Sequence, residues 1–351
     1  MKSNKIVQII FFSLIFILGC NRNGSQRKIT ESGDFPQTIT VNGEPVESMK
    51  HYVINGMSVI DSFLIISDMK QEKPIFVYST DNLELLGNLS SVGQGPGEFE
   101  SPIFIQQSEL FNSFLNVYDV RLGVLTRIDI ANSIETNKYV YSRTPINDVW
   151  NENRPQRVFF ETPNFSCLEI EGAWFTLFKE ESNSFIDIPF PNLDFELKDE
   201  RMNYYIFNPE ICYNPALDKI AVSSLLIGYL SFFDMSGNHL YTTNYDPDQQ
   251  YMEELKSLNS HNKGNPRTYI GNMHADDQYI YAVKGNDEGE IIDMPVKNEI
   301  LIFDWNGLPV KKVLLDRFIA GVIFDHENKM MYGYAPYEED YTIIKYDMAN
   351  W

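Results

Sequence analysis

Past residue 36 the chain is a succession of short apolar runs, each broken by Asn, Asp, Gly or Pro, which is the pattern of many short β-strands. One run recurs along the sequence as Phe63–Asp68, Phe114–Asp119, Ser166–Ile170, Lys219–Ser223, Tyr279–Val283 and Met330–Tyr334. The starts lie 51, 52, 53, 60 and 51 residues apart, a nearly constant period that marks a repeated supersecondary unit. A second run follows each of these, anchored at Tyr78, Ile128, Phe178, Phe233, Phe303 and Tyr346. After it come turns such as Thr80-Asp81-Asn82, Ser236-Gly237-Asn238 and Trp305-Asn306-Gly307, whose residues tolerate the positive φ of a tight hairpin. Each unit reads as a four-stranded antiparallel meander that cannot bury both of its faces alone. Radial stacking of six such units satisfies all of them, so the pattern predicts an all-β, six-bladed β-propeller over residues 37–351.

The ends of the chain bear on how the ring closes. The last unit stops at Trp351, directly after its third strand, so its outer strand must come from elsewhere. The strand-like segment Gln37–Asn42 is the expected donor, paired antiparallel with Ile343–Tyr346 and covering an otherwise open sheet edge. The third unit, around residues 156–190, is the least regular. In the long interval between the fourth and fifth units, Tyr251, Leu255 and Leu258 fall at i, i+4 and i+7, which predicts a short amphipathic helix laid on the propeller.

The N-terminus has a different character. A basic start (Lys2, Lys5) leads into an apolar stretch over residues 6–18 and then Gly19-Cys20. That stretch is short for a membrane span of about 20 residues, and its flanks are those of a cleaved secretory leader. The arrangement looks like a bacterial lipoprotein signal. Residues 1–19 are then removed and Cys20 is the lipid attachment site, although Leu18 is bulkier than the small residue usual before Gly-Cys. Several acyl chains on Cys20 would make attachment effectively permanent. Residues 20–36 read as a flexible polar tether. No acidic run follows Cys20, and the expected address is the outer membrane, facing the periplasm.

Charge narrows the partners. Setting aside the two leader lysines leaves 26 basic residues against 49 acidic ones, a formal balance of −23. Such a surface repels nucleic acid and anionic headgroups, and solubility is its simplest explanation. Beyond Cys20 only Cys167 and Cys212 remain, both in apolar strand-like stretches; an oxidising compartment permits a disulfide between them, against the favoured reading of two buried free thiols.

Motifs for familiar chemistry are missing. There is no His-Glu-x-x-His, Gly-x-Ser-x-Gly, Cys-x-x-Cys or P-loop pattern. Asp246-Pro247-Asp248 opens like an EF-hand, but Tyr251 stands where glycine is needed and Ser257 where the closing Glu belongs. The acidic loop at residues 286–290 is the one place suited to loose calcium binding, against the simpler reading of a solvated loop; no cofactor is otherwise expected. The five histidines show no metal spacing; His274 is the one that lining of a channel would suit.

The loop Gly93-Gln94-Gly95-Pro96-Gly97-Glu98-Phe99 joins the first unit to the second. Together with the six repeats and the leader, it resembles the TolB-like six-bladed propeller lipoproteins, which are similar to NHL-repeat propellers. The resemblance implies a propeller in the cell envelope and carries no catalytic residue. Read on its own chemistry, the loop packs blades through Phe99 and tight glycine turns. In a propeller, connections from one blade's outer strand to the next blade's inner strand gather at one channel mouth, so Gln94, Glu98 and the 246–265 insertion are expected on one face as candidate ligand contacts. Two functions fit. One is a non-catalytic propeller, tethered through its lipid, that binds or scaffolds a peptide, glycan or protein; the other is a lactonase- or esterase-type propeller hydrolase with a channel metal.

Overall fold

The recurring apolar runs are the second strands of six blades, and their near-continuous hydrophobicity has a structural cause. In the computed structural model each second strand lies between two neighbouring blades, so alternate side chains enter two different interfaces. Leu64 and Ile66 pack toward the sixth blade, whereas Ile65 packs toward the second. Ile220 and Val222 face the third blade while Ala221 faces the fifth. The structure describes residues 29–108, 113–150, 154–191, 202–256, 258, 267–285, 297–337 and 340–351. Cys20 with its leader, and the 286–290 loop, lie outside the described residues.

From the innermost strand outward, blade one is Gly56–Ile60, Phe63–Ser67, Ile75–Ser79 and Leu85–Leu89, joined antiparallel in that order. The remaining innermost strands are Pro102–Phe104, Arg157–Glu161, Ile211–Asn214, Ile270–Ala275 and Gly321–Asp325. The second and third strands carry the two repeated runs read from the sequence in all six blades, the irregular third unit included. Between successive blades lie hydrophobic clusters, one at each of the six interfaces, and these form the core. Burying one large apolar side chain in them is worth about 1.5–3 kcal/mol. Cys167 and Cys212 are buried, free, and in different interfaces.

The ring is closed by an N-terminal strand, but a different one from the segment expected. Glu44–His51 pairs antiparallel with Asp340–Asp347 as the outer strand of blade six. Thr38–Val41 instead runs parallel to Pro309–Leu315, as a fifth strand on the outside of blade five. The reason is exposure. An outer strand faces water along much of its length, so the closing strand is polar and carries Pro45, as edge strands do. Ile39 and Val41, the more strand-like pair, pack against the interface of blades five and six. Between the two strands the chain passes through Gly43, where a Cβ would lie 2.3 Å from the Ile344 side chain and 2.5 Å from the Tyr346 ring. No other residue fits that crossing without displacing the wall.

The segment read as tether also touches the propeller. Ile29–Glu31 runs parallel to His239–Asn244 on the edge of blade four, and the Phe35 ring packs edge-on against Phe303 at 5.3 Å. Residues 29–51 thus belt three blades in sequence. The helix predicted in the long interval forms over Gln249–Leu255, capped by Asp248, and Tyr251, Leu255 and Leu258 are the buried face. Asp248 also pairs with Arg267 at 2.7 Å, which ties the helix to the start of blade five.

Candidate functional site

All six blades converge on a central channel of about 410 Å³. Because each innermost strand follows the connection from the preceding outer strand, its first residues lie at one mouth and its last residues at the other. Polar groups reach the cavity from separate blades: Asn55, Gln106, Arg157, Glu210, Asn272 and His326. Among the described residues lining it, Glu210 is the single carboxylate.

That carboxylate is paired. At the connection-side mouth Arg157 donates from Nη1 to Glu210 at 2.6 Å and from Nε to Glu169 at 3.1 Å, and its third nitrogen donates to the Pro209 carbonyl at 2.5 Å. Burial works against the guanidinium charge, but Glu210 and Glu169 together outweigh it and raise the Arg157 pKa. The Tyr204 hydroxyl, from the short helix Met202–Phe207, donates to the other oxygen of Glu169. This cluster links blades three and four, with one guanidinium shared between two carboxylates, in a chain that is strongly acidic overall.

At the other mouth His274 donates from Nε2 to the Val322 carbonyl at 3.2 Å. Burial, helped by repulsion from His326, holds its pKa down to about 4, so it is a neutral ring at physiological pH. His326 stacks on Phe324 with ring centroids 5.7 Å apart and faces Asp276 at 3.6 Å. Between the mouths, Asn272 lines the channel, and its Oδ1, itself shielded from solvent, accepts no hydrogen bond from the described chain. Among the described residues no three of His, Cys, Asp and Glu group closely enough to hold a metal ion.

The sequence-derived candidates separate. Gln94 and Glu98 sit on the connection between blades one and two, and His274 near the opposite mouth; the structure does not bring the three together. Glu98 turns back into its own loop, where Oε2 accepts from the Gly95 backbone N–H at 2.7 Å and Oε1 from the Ser91 hydroxyl at 3.4 Å. Gln94 is exposed and donates to Glu100 at 2.6 Å. Neither lines the channel. The loop is a packing device: Phe99 is fully buried, Arg143 donates to the Gly95 and Glu98 carbonyls, and Asp119 accepts from the Glu100 and Ser101 amides at 2.7 and 3.0 Å. Gly97 has φ +80°, and a Cβ there would lie 2.8 Å from the Tyr141 ring. By topology the 93–102 loop and the described part of the 246–265 insertion share one face, since both are outer-to-inner connections.

Sequence reasoning missed the Arg157 cluster, whose members come from separated positions with no local motif. It also missed a buried set at the ring seam. His51 of the closing strand lies between Asp68, 3.6 Å from Nδ1, and the Tyr78 hydroxyl, 3.2 Å from Nε2. This order of acid, imidazole and hydroxyl resembles a catalytic relay, yet Asp68 also accepts the Tyr52 and Lys70 amides and all three residues are buried in the interface of blades six and one. Burial lowers the His51 pKa in spite of Asp68, as suits a neutral structural ring.

The described residues form a six-bladed β-propeller around a polar channel. The chain belongs to the TolB-like 6-blade propeller-like family, whose model matches residues 46–327. No curated protein matches it. Among solved structures it is similar to a member of the DUF4221 family from Bacteroides vulgatus, at TM-score 0.54 and 9% identity, over 87% of this chain and 95% of that one. It is also similar to a protein of Bacteroides fragilis described as exported, at TM-score 0.50 and 9% identity, over 88% and 99%. A luciferin-regenerating enzyme aligns at TM-score 0.49 and 8% identity, over 88% and 95%. At these identities the likeness is one of fold.

Proposed function

We propose that the protein is a lipid-tethered envelope propeller that holds a peptide, glycan or protein partner at its channel without catalysing a reaction. The carrying observation is the channel's chemistry. Among the described residues lining it the one carboxylate, Glu210, is paired with Arg157, and the remaining polar side chains are amides, the Ser58 and Tyr334 hydroxyls and imidazoles that burial keeps neutral. Such a lining suits neutral hydrogen-bonding groups and apolar surface, the features of a peptide backbone or an uncharged glycan. A hydrolase with a channel metal would need several free carboxylates or imidazoles converging on one point. Family membership and the Gly19-Cys20 leader support an envelope address.

The tether is tested by Cys20→Ser, which should release the protein from the membrane fraction. Binding is tested by mild cross-linking in native membranes followed by purification of the wild-type and Asn272→Leu chains. A partner captured by the wild type and lost with Asn272→Leu, at an unchanged melting temperature, is the expected result. One tightly held calcium ion per chain together with turnover of lactone or ester probes would overturn the non-catalytic reading.

A further inference from the structure

Blade six differs from its neighbours in one hairpin. In blades four and five the turn between the third and outer strands folds over the preceding blade: a Cβ at Gly237 would lie 2.8 Å from the Ile188 side chain of blade three, and one at Gly307 would lie 2.4 Å from the Thr243 side chain of blade four. Met235 and Trp305, in those turns, are buried and close that end of each interface. Blade six takes its outer strand from Glu44–His51, so among the described residues no such turn follows its third strand, Asp340–Asp347. Met348 and Trp351 stand there instead, each half-buried, and a groove of about 370 Å³ opens between blades five and six.

The groove has an apolar floor and a cationic rim. Tyr279, Val310, Met348 and Trp351 line it and pack at the edge of the hydrophobic cluster between the two blades. Lys311 and Lys329 bring two ammonium groups, and neither forms an ion pair among the described residues. Asp276 is the single carboxylate among the described lining residues, and its own surroundings occupy it. Its Oδ1 accepts the Gln278 and Tyr279 amides, both at 2.7 Å, and its Oδ2 accepts the Tyr281 hydroxyl at 2.9 Å. The Gln278 amide and the His326 imidazole complete the rim.

We propose that this groove binds a hexuronate, with Lys311 and Lys329 meeting the carboxylate and Tyr279 and Trp351 meeting the sugar ring. The two ammonium groups call for an anion. The half-buried rings present electron-rich faces, which attract the weakly positive C–H face of a sugar. Gln278 and His326 match hydroxyl groups, which a purely apolar acid would not offer them. Exposed Asp277, Glu327 and Asp347 adjoin lining residues in the chain and oppose an anion at long range, a term screened beyond about 8 Å at physiological salt, whereas the lysines act at contact. The site is separate from the channel reading above and meets the channel only at His326, which lines both.

Trp351 supplies the reporter, since Trp150, Trp174 and Trp305 are buried and it alone of the four tryptophans is open to iodide. The full-length chain is titrated with galacturonate and glucuronate, with galactose and glucose, and with phenylacetate, followed by iodide quenching and by calorimetry. Saturable protection of Trp351 by the uronates is expected, with the neutral sugars weaker by about tenfold or more. The double variant Lys311→Met, Lys329→Met should weaken uronate binding by a similar factor at an unchanged melting temperature; Lys329→Met alone, at an exposed position, should weaken it about threefold and serves if the double variant melts early. Asn272→Leu, in the channel, should bind uronate as the wild type does, which separates this site from the channel reading. Tri-galacturonate bound more tightly than galacturonate identifies a polysaccharide as the source and equal affinity a free sugar, and both support the site. Equal binding of the neutral sugars would overturn the role of the lysines, and equal or tighter binding of phenylacetate would overturn the sugar. No saturable protection by either uronate, or full uronate binding by the lysine variants, would overturn the proposal.

Discussion

Glu161 closes the innermost strand of blade three and should make the stability of this propeller fall as pH rises through neutrality. Its residue is 5% exposed, between the parallel contact of Gln107–Ser108 and the second strand of its own blade. Burial, reinforced by the charge of Glu180, pushes its pKa up from 4.5 to about 7. A carboxyl whose pKa is higher in the folded state binds more protons there than in the unfolded chain. Its stabilising contribution is complete below pH 4.5 and is lost as pH rises to 7. At about 1.4 kcal/mol per unit of pKa, the swing is at most about 3 kcal/mol. The histidines act in the opposite sense. His51, His274 and His326 all have lowered pKa values, so their contribution is present above pH 6.5 and lost on acidification. The wild-type profile between pH 4.5 and 7 therefore mixes two slopes, and the comparison with Glu161→Gln isolates one. Urea unfolding at pH 4.5, 5.5, 6.5 and 7.5 should show the Gln variant gaining on the wild type by up to about 3 kcal/mol across the range. A constant difference between the two chains would refute the buried-carboxyl argument.

Arg157→Met strips the counter-charge from Glu169 and Glu210 and should cost about 3–5 kcal/mol at pH 7, since it leaves two carboxylates in a largely buried cluster; chemical denaturation reads it, and the loss should shrink on acidification, because burial raises the Glu210 pKa and its protonation removes an unpaired charge. Gly97→Ala sets a Cβ against the Tyr139 and Tyr141 rings at a positive φ and should destabilise by about 1–3 kcal/mol in a thermal melt. A chain beginning at residue 44 keeps the closing strand and loses Ile39 and Val41, which should cost a few kcal/mol but still give a cooperative transition. Beginning at residue 52 removes the closing strand with Met49 and His51, and circular dichroism should then show no cooperative melt.

What could be read beforehand follows from where side chains point. Second and third strands bury both faces, so Phe63–Ser67 or Tyr229–Asp234 stand out as apolar runs whatever surrounds them. Outer strands bury little, and Glu44–His51, with Glu44, Glu47 and Lys50 among its eight residues, carries no hydrophobic signal of its own. Its role becomes visible only in its antiparallel pairing with Asp340–Asp347. The glycine loop was legible as a turn, but the use of Glu98 was not, because a carboxylate folding onto its own backbone and one facing a ligand have the same local sequence. A better signal was the Asp that ends two of the repeated runs, Asp68 and Asp119. Both accept backbone amides from the neighbouring connection, which marks that connection as structural.

The channel could not be read locally for a related reason. Each of its polar groups belongs to a different repeat, with Asn55 and Asn272 separated by four blades in the chain and facing one cavity in the fold. The apolar lining residues, Phe104 and Met273 among them, also belong to the clusters between blades, whereas polar ones such as Asn55, Gln106 and Asn272 stand outside those clusters. The polar lining positions are thereby free to change chemistry at small cost to stability, while core positions such as Ile65 or Phe303 are not. Under the proposed binding role, the same rigidity gives a partner a site that needs little ordering, so affinity would depend on matching the fixed polar side chains such as Asn55 and Asn272 rather than on total contact area. On that proposal, specificity rests with the polar lining residues of each blade, which stand outside the clusters that build the ring.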